Sequence, residues 1–156
     1  MSKTTLPMEV RLDADGFVRR QCPRCRRQWK WLASSFQQGP VPTHIYCPYC
    51  GHAAPPDQWW TRAQIEYAKA LVMSDVMGPA LERLARNWKR LNRPGSLVRF
   101  ESSYRNPRRP TPPAEPNDMR KAVPPCHPEK PVKVLEDWHG ALHCPACGQR
   151  FETAGL

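Results

Sequence analysis

The sequence lacks the long apolar stretches that membrane-spanning helices and secretory signals require. No run of about 18 apolar residues occurs, and the first 30 residues hold no apolar core of a signal peptide. Apolar residues make up only 40% of the 156 positions and 19 positions are proline, so a single large hydrophobic core is not expected. We predict a cytoplasmic protein with no membrane partner, built from small modules.

The motifs of common enzyme classes are also missing. The chain has no glycine-rich phosphate-binding loop, no His-Glu-x-x-His helix and no deaminase-type His-x-Glu before a Cys-x-x-Cys pair. No pair of catalytic acids is apparent either. We therefore predict a protein that is not an enzyme.

Negative charge is scarce, with 14 acidic residues against 24 basic ones and a formal net charge of +10. Seventeen of the basic residues are arginine, which favours an anionic partner such as nucleic acid, although GC-rich codon usage produces the same enrichment. Residues 126–156 carry a net charge of −1 and the remainder +11. An electrostatic anchor is therefore expected outside the C-terminal segment.

Seven cysteines form three Cys-Pro-x-Cys pairs and leave one more at Cys126. An odd count without a secretory signal argues against disulfides and for metal in a reducing compartment. Two of the pairs, with 21 residues between them, have the spacing of two turns that present four thiolates to one zinc ion; their residues are Cys22, Cys25, Cys47 and Cys50. Four thiolates also suit iron, whereas a thioredoxin-like redox pair is disfavoured because no βαβ pattern surrounds it.

These Cys-Pro-x-Cys turns, called knuckles below, resemble those of the zinc-ribbon superfamily. The resemblance covers residues 16–52, and knuckles of the same form stand at residues 22–25, 47–50 and 144–147. It implies that each knuckle caps a β-hairpin around a structural zinc. Four protein ligands leave no open coordination position, so such a zinc carries out no chemistry.

The third knuckle, Cys144 and Cys147, needs two more ligands for a second zinc ion. Cys126 is the expected third ligand. The fourth must come from one of four nearby side chains, and these are His127, Glu129, His139 and His143. We place His127 first, because the surrounding prolines can kink the turn, and His139 second. A segment without metal is the alternative.

The predicted fold is a small, metal-stabilised α+β structure of four parts. An N-terminal zinc ribbon occupies residues 1–60, and a helical pair occupies 61–95. A short strand at 96–101 and a Pro/Arg-rich linker fill 96–125, and a C-terminal zinc ribbon occupies 126–156. The recurrence along the chain is interpreted as one of the metal knuckle and not of a fold.

The helical pair is predicted from apolar spacing and from one interruption. Thr61 and Gln64 have the form of a capping box, and the helix that follows should extend to about Met77. Gly78-Pro79 then precedes a second apolar stripe that ends at Leu91. A helical hairpin is favoured over one kinked rod.

Basic residues cluster on and after the first knuckle, and these are Arg24, Arg26, Arg27 and Lys30. With the nearby Trp29 and Trp31, they predict a surface that contacts nucleic acid. The alternatives are a solvated charged face and tryptophans that belong to the core. Two functions follow: a zinc-finger protein that binds nucleic acid, as a small subunit of a larger complex, or an adaptor whose helical pair or C-terminal ribbon binds a protein.

Overall fold

The computed structural model describes residues 5–153; the first four and last three residues, which the sequence assigned to the two terminal modules, lie outside this range. The described residues form two compact units. Residues 10–62 and 113–153 make up one, here called the sheet unit, and residues 5–9 and 63–112 make up the other, the helical unit. Both cysteine regions lie in the sheet unit, so the two modules that the sequence separated pack together.

The sheet unit is built from four β-hairpins in chain order. Each hairpin pairs two consecutive antiparallel strands, and the β2 strand of the first hairpin also pairs with β6 of the third, which gives a four-stranded sheet of order β1-β2-β6-β5. The strands are β1 (Phe17–Gln21), β2 (Gln28–Leu32), β3 (Ile45–Tyr46), β4 (Ala53–Ala54), β5 (Arg120–Ala122), β6 (Val132–Val134), β7 (Leu142–His143) and β8 (Arg150–Phe151).

The repeated element is therefore a hairpin with its metal-ligating turn. The interpretation that only the knuckle recurs is wrong. Strands of two to five residues are too short to produce a recognisable alternation of apolar and polar residues, so only the resemblance of the knuckles to zinc ribbons indicated the hairpins. The N-terminal and C-terminal halves of the sheet unit each contribute two of them.

One face of the four-stranded sheet forms the hydrophobic core. Residues directly opposite on antiparallel strands share a face, and Trp31 stands opposite both Val18 and Val132. Trp29 is fully buried on this face and makes edge-on ring contacts with Trp31 and Trp59 at 5.5 and 5.6 Å. These tryptophans are core residues, which is the second of the two roles considered for them.

The other face of the sheet is ionic. Lys30 and Lys133 stand directly opposite one another on β2 and β6, and both are buried. Asp13 lies between them, with its Oδ2 at 3.1 Å from Lys30 Nζ and 2.8 Å from Lys133 Nζ. Glu115 accepts from Lys30 at 2.9 Å and from Arg19 at 3.0 Å. The Asp13 carboxylate, which lies between the two lysines, thus joins the two halves of the sheet.

The Pro/Arg-rich segment is not a free spacer throughout. Its residues 113–118 belong to the sheet unit, where Glu115 is bound as described and Asp118 pairs with Arg19. Strand β5 also lies within the predicted linker. These polar contacts depend on partners about 100 residues earlier, so local sequence gave no indication of them.

The helical unit contains one continuous helix in place of the predicted hairpin. It consists of α1 (Arg62–Val72), a π-helical turn (Met73–Met77) and α2 (Gly78–Arg90). The helix begins at Arg62, one residue after Thr61, where the sequence predicted its start. Gly78 has right-handed helical angles and donates its N–H to the carbonyl of Met73, five residues earlier. This wide turn accommodates Pro79, which has no N–H to donate, so the helix continues.

Residues 91–112 contain no regular strand or helix, so the strand predicted at 96–101 is wrong. The Asn92 side chain instead accepts from Phe100 N–H and donates to Phe100 C=O, both at 2.7 Å, as a neighbouring strand would. Asn106 donates to the Ser74 carbonyl at 3.0 Å and sits where any Cβ on Gly78 would clash with it. Gly78 therefore serves close packing and not a chain reversal.

Within residues 5–153, no helix combines the length and apolarity needed to cross a membrane.

Candidate metal centres

The three Cys-Pro-x-Cys knuckles have the same backbone geometry. In each, the N–H of the fifth residue donates to the carbonyl of the first cysteine, at 3.0 Å from Arg26, 2.9 Å from Gly51 and 2.8 Å from Gly148. The fifth residue has a left-handed φ of 63°, 70° and 75° respectively. This tight turn directs both cysteine sulfurs of a knuckle to the same side, as zinc binding requires.

The first centre brings together the four predicted thiolates. Cys22 and Cys25 lie in the turn between β1 and β2, and Cys47 and Cys50 lie in the turn between β3 and β4. The Sγ atoms of Cys22 and Cys50 are 3.7 Å apart, those of Cys25 and Cys47 are 3.8 Å apart, and all four lie within 4.8 Å of one another. Tetrahedral zinc with bonds of about 2.3 Å places its sulfurs about 3.8 Å apart.

Burial of this centre disfavours free, uncompensated thiolates. Burial raises the pKa of the Cys22 and Cys47 thiols, because a lone thiolate loses the stabilisation that water provides. A divalent ion supplies the compensating charge and holds the cysteines as thiolates. The donor set and its spacing therefore fit zinc in a closed structural site.

The second centre has three sulfurs and one nitrogen. Cys126 and His127 lie in the turn between β5 and β6, and Cys144 and Cys147 lie between β7 and β8. Cys126 Sγ is 3.5 Å from Cys147 Sγ, and Cys144 Sγ is 3.5 Å from His127 Nδ1, with all four atoms within 4.8 Å. A sulfur and a nitrogen on tetrahedral zinc stand about 3.5 Å apart. The two clusters fit two zinc ions.

The other candidates for the fourth ligand lie elsewhere. Glu129 and His139 are exposed and belong to neither cluster. His143 directs its Nδ1 to the carbonyl of Pro48 at 3.3 Å, and its ring packs against Gly51. The structure therefore brings His127 to the second centre, as the kinked turn predicted.

The second and third knuckles contact each other through a reciprocal pair of hydrogen bonds. Tyr46 N–H donates to the Pro145 carbonyl at 3.0 Å, and His143 N–H donates to the Pro48 carbonyl at 2.8 Å. A Cβ on Gly148 would lie 2.6 Å from the Tyr46 ring, and a Cβ on Gly51 would lie 3.1 Å from the His143 ring. Each residue before a cysteine thus packs on the glycine of the other knuckle, which relates the two by an approximate twofold axis.

Tyr49 strengthens this junction and was not singled out as a structural residue from the sequence. Its hydroxyl donates to the Gln28 carbonyl at 2.8 Å and accepts from Leu135 N–H at 2.9 Å. Burial raises the pKa of Tyr49 to about 12. Its position inside a knuckle, between two ligating cysteines, is the signal that could have indicated a buried role.

The four residues predicted to contact nucleic acid divide into two groups. Arg24, Arg26 and Arg27 are exposed on the first knuckle, and the guanidinium of Arg27 lies 5.1 Å from the Trp138 ring centroid. Lys30 is fully buried on the ionic face, where it pairs with Asp13 and Glu115. The prediction that Lys30 belongs to an exposed basic cluster is wrong, because side chains alternate along β2 and that of Lys30 lies on the buried ionic face.

Comparison of the chain with protein-family models, with curated proteins and with solved structures returns no match. Two four-ligand clusters, each formed by the turns of two hairpins, are zinc-ribbon-like centres and mark a structural zinc protein.

Proposed function

We propose that this chain is a non-catalytic protein of the zinc-ribbon type that binds the phosphate backbone of nucleic acid, as a small subunit of a larger complex. The contact surface is formed by the exposed arginines of the first knuckle, and these are Arg24, Arg26 and Arg27. The four thiolates of the first zinc centre hold the turn that carries them.

The conformation of Arg26 is the observation that carries the proposal. Arg26 has a φ of 63°, whereas the equivalent positions of the other knuckles are Gly51 and Gly148. A left-handed conformation costs a residue with a Cβ about 1 kcal/mol relative to glycine. An arginine at a position that the other two knuckles fill with glycine supports a role for its side chain in binding.

The surroundings of these arginines favour contact with phosphates over contact with bases. The tryptophans closest in sequence, Trp29 and Trp31, are buried in the core and offer no free face for base stacking. Guanidinium groups bind phosphate oxygens in bidentate fashion. Binding should therefore depend weakly on sequence and strongly on salt.

The test compares variants in fluorescence anisotropy with a labelled single-stranded and a labelled duplex oligonucleotide across a salt series. Arg26→Gly should weaken binding severalfold and lower the salt slope by about one contact, while it raises the free energy of unfolding by about 0.5–1 kcal/mol. Arg24→Glu with Arg27→Glu should weaken binding further. Arg150→Glu, a charge reversal at an exposed position of the C-terminal half, is the matched control.

Two results would contradict the proposal. The first is an unmodified protein that binds neither oligonucleotide even at about 50 mM salt. The second is an Arg26→Gly variant that gains stability and binds unchanged, since the arginine would then have no role at the surface. Zinc content, measured on every variant, distinguishes the loss of arginine–phosphate contacts from the loss of the first zinc centre.

An exposed apolar stripe on the long helix favours a second candidate function, that of an adaptor. Leu84, Trp88 and Leu91 are 44%, 45% and 57% exposed. With Met77 and Leu81 they follow the alternating spacing of four and three residues that is typical of helix pairing. The flanking positions are small or uncharged, so this stripe would select a helical partner by shape; they are Gly78, Ala80, Ala85 and Asn87.

A further inference from the structure

Arg20 is held between two tryptophans at the edge of the sheet unit. The carbon at the centre of its guanidinium lies 4.5 Å from the Trp31 ring centroid and 4.6 Å from that of Trp60. Cation–π contacts on a guanidinium involve its flat faces, so the N–H groups around its rim are the donors left for a ligand. The two indoles also restrict the rotation of this side chain, which is the preorganisation that a recognition site needs.

No carboxylate neutralises Arg20 within the part of the chain that the structure describes. Its Nε is buried and has no hydrogen-bond acceptor there. The neighbouring Arg19, on the ionic face of the sheet, pairs with both Glu115 and Asp118. Burial lowers the pKa of Arg20 from 12.5 to about 10, because nothing nearby compensates its charge. A buried and unpaired cation is costly, and an anionic ligand would remove that cost.

The guanidinium opens onto a groove with apolar walls. The groove has a volume of about 330 Å³, and its walls are formed by Val10, Leu12, Val18, Ala33 and Phe36 together with the polar Gln37. The Phe36 ring stacks on Trp31 at 4.8 Å and lies under the ammonium of Lys130 at 4.6 Å. A space of this size accommodates one or two amino-acid side chains. The Lys130 ammonium donates to the Ser35 carbonyl, so the groove itself offers one oriented cation with apolar surface beside it.

We propose that this groove binds an acidic peptide segment of a partner protein, with a carboxylate on the Arg20 N–H groups and adjacent aliphatic side chains against the apolar walls. A carboxylate matches the planar fork of a guanidinium. A phosphodiester chain fits less well, because its hydrated phosphates would meet valine, leucine and phenylalanine on either side of a single arginine. The site is separate from the knuckle arginines, so it stands whether or not those bind nucleic acid.

The test follows the indole N–H resonances of the zinc-loaded full chain by NMR, with those of Trp31 and Trp60 assigned from single Trp→Phe variants. The probe is the tripeptide acetyl-Leu-Glu-Leu-amide, and acetyl-Leu-Gln-Leu-amide is its neutral counterpart. Acetate and inorganic phosphate serve as simple anions. We expect saturable shifts at both indoles with the acidic peptide, and at least tenfold weaker binding of the neutral peptide.

Three variants connect the binding to the groove. Arg20→Gln should reduce affinity for the acidic peptide at least tenfold and abolish its preference over the neutral one. Leu12→Glu should have a similar effect by charge repulsion, and Leu12 is 47% exposed, so this variant tests the site even if Arg20→Gln fails to fold. Arg24→Gln, which removes an exposed arginine outside the groove, should bind the peptide as the unmodified chain does.

The proposal is overturned by equal affinity for the acidic and neutral peptides, by a Leu12→Glu variant that retains full binding, or by the absence of saturable shifts. Phosphate that binds as tightly as the acidic peptide would also overturn it, since the groove would then be an oxyanion site open to nucleic acid. Loss of oligonucleotide binding in the knuckle variants, with peptide binding retained, would separate the two surfaces.

Discussion

The two metal centres use the same hairpin framework but differ in how well they are enclosed. The N-terminal centre has four sulfurs, two of them on buried residues and none on an exposed one. The C-terminal centre replaces one sulfur with the His127 imidazole, and its Cys147 is exposed. Because the framework encloses one zinc ion and leaves the other accessible, we expect the two centres to differ in stability and in the rate at which they release zinc.

The largest effect should come from the N-terminal centre. Cys47→Ser, or equally Cys22→Ser, should remove one zinc equivalent and unfold the whole sheet unit. The structural zinc supplies roughly 10 kcal/mol or more, and β2 is shared with the C-terminal half. Cys147→Ser should remove the other equivalent and leave β1 and β2 folded. Metal analysis with circular dichroism measures both, and equal unfolding by the two variants would contradict the difference in enclosure.

Chelation should distinguish the same two centres in the unmodified protein. A chelating dye should take up the first zinc equivalent faster than the second, because an exposed cysteine and an imidazole are accessible to the competing ligand. His127→Cys should slow the release of the fast equivalent, since it restores a fourth thiolate. A single release rate for both ions in the unmodified chain would mean that enclosure does not control exchange.

The junction between the two halves should weaken in acid. Burial opposes ionisation of Asp13, but hydrogen bonds from Lys133, the Phe17 N–H and Lys30 outweigh it and lower its pKa from 3.8 to about 2. Because the folded pKa is the lower one, its contribution of about 2 kcal/mol is complete above about pH 4 and disappears as the pH falls towards 2. Asp13→Asn should remove this pH dependence.

Metal loss in acid complicates that measurement, so the comparison is best made also at neutral pH by denaturant unfolding of zinc-loaded protein. There Asp13→Asn should destabilise the chain by more than about 2 kcal/mol, since it leaves two buried lysines opposite each other. Glu136→Gln, at an exposed position, is the control. An Asp13→Asn variant as stable as the control would show that the remaining partners, Glu115 for Lys30 and Asp15 for Lys133, are sufficient for the two lysines.

The smallest effect on stability should come from the helical unit, which has no metal ligand among its described residues. Leu84→Asp should change the free energy of unfolding by less than about 1 kcal/mol, because Leu84 is 44% exposed. It should abolish any self-association that sedimentation velocity detects in the unmodified chain. Strong destabilisation by this variant would mean that the stripe is covered in the folded protein.

The sequence predicted best what depends on short spacing. Two residues between cysteines define a knuckle, so six of the eight ligands followed directly. Cys126 followed as the remaining cysteine, and His127 was first among four open candidates. Lys30 was placed on the surface because a lysine beside arginines suggests a solvated cluster. Only Asp13 and Glu115, distant in the chain, show that it is buried. Gly78-Pro79 suggested a reversal, whereas a π-helical turn allowed the helix to continue.

The pairing of β2 with β6 also determines the order in which the molecule can assemble. Lys30 and Lys133 are about 100 residues apart in the chain, so the sheet cannot close until β6 has been synthesised. Contacts of such long range slow folding, because a large loop must be closed before they contribute. A nascent chain therefore has its first four cysteines, and the zinc they bind, well before its β2 edge is covered. During that interval the unpaired edge is where aggregation, or a chaperone, would act.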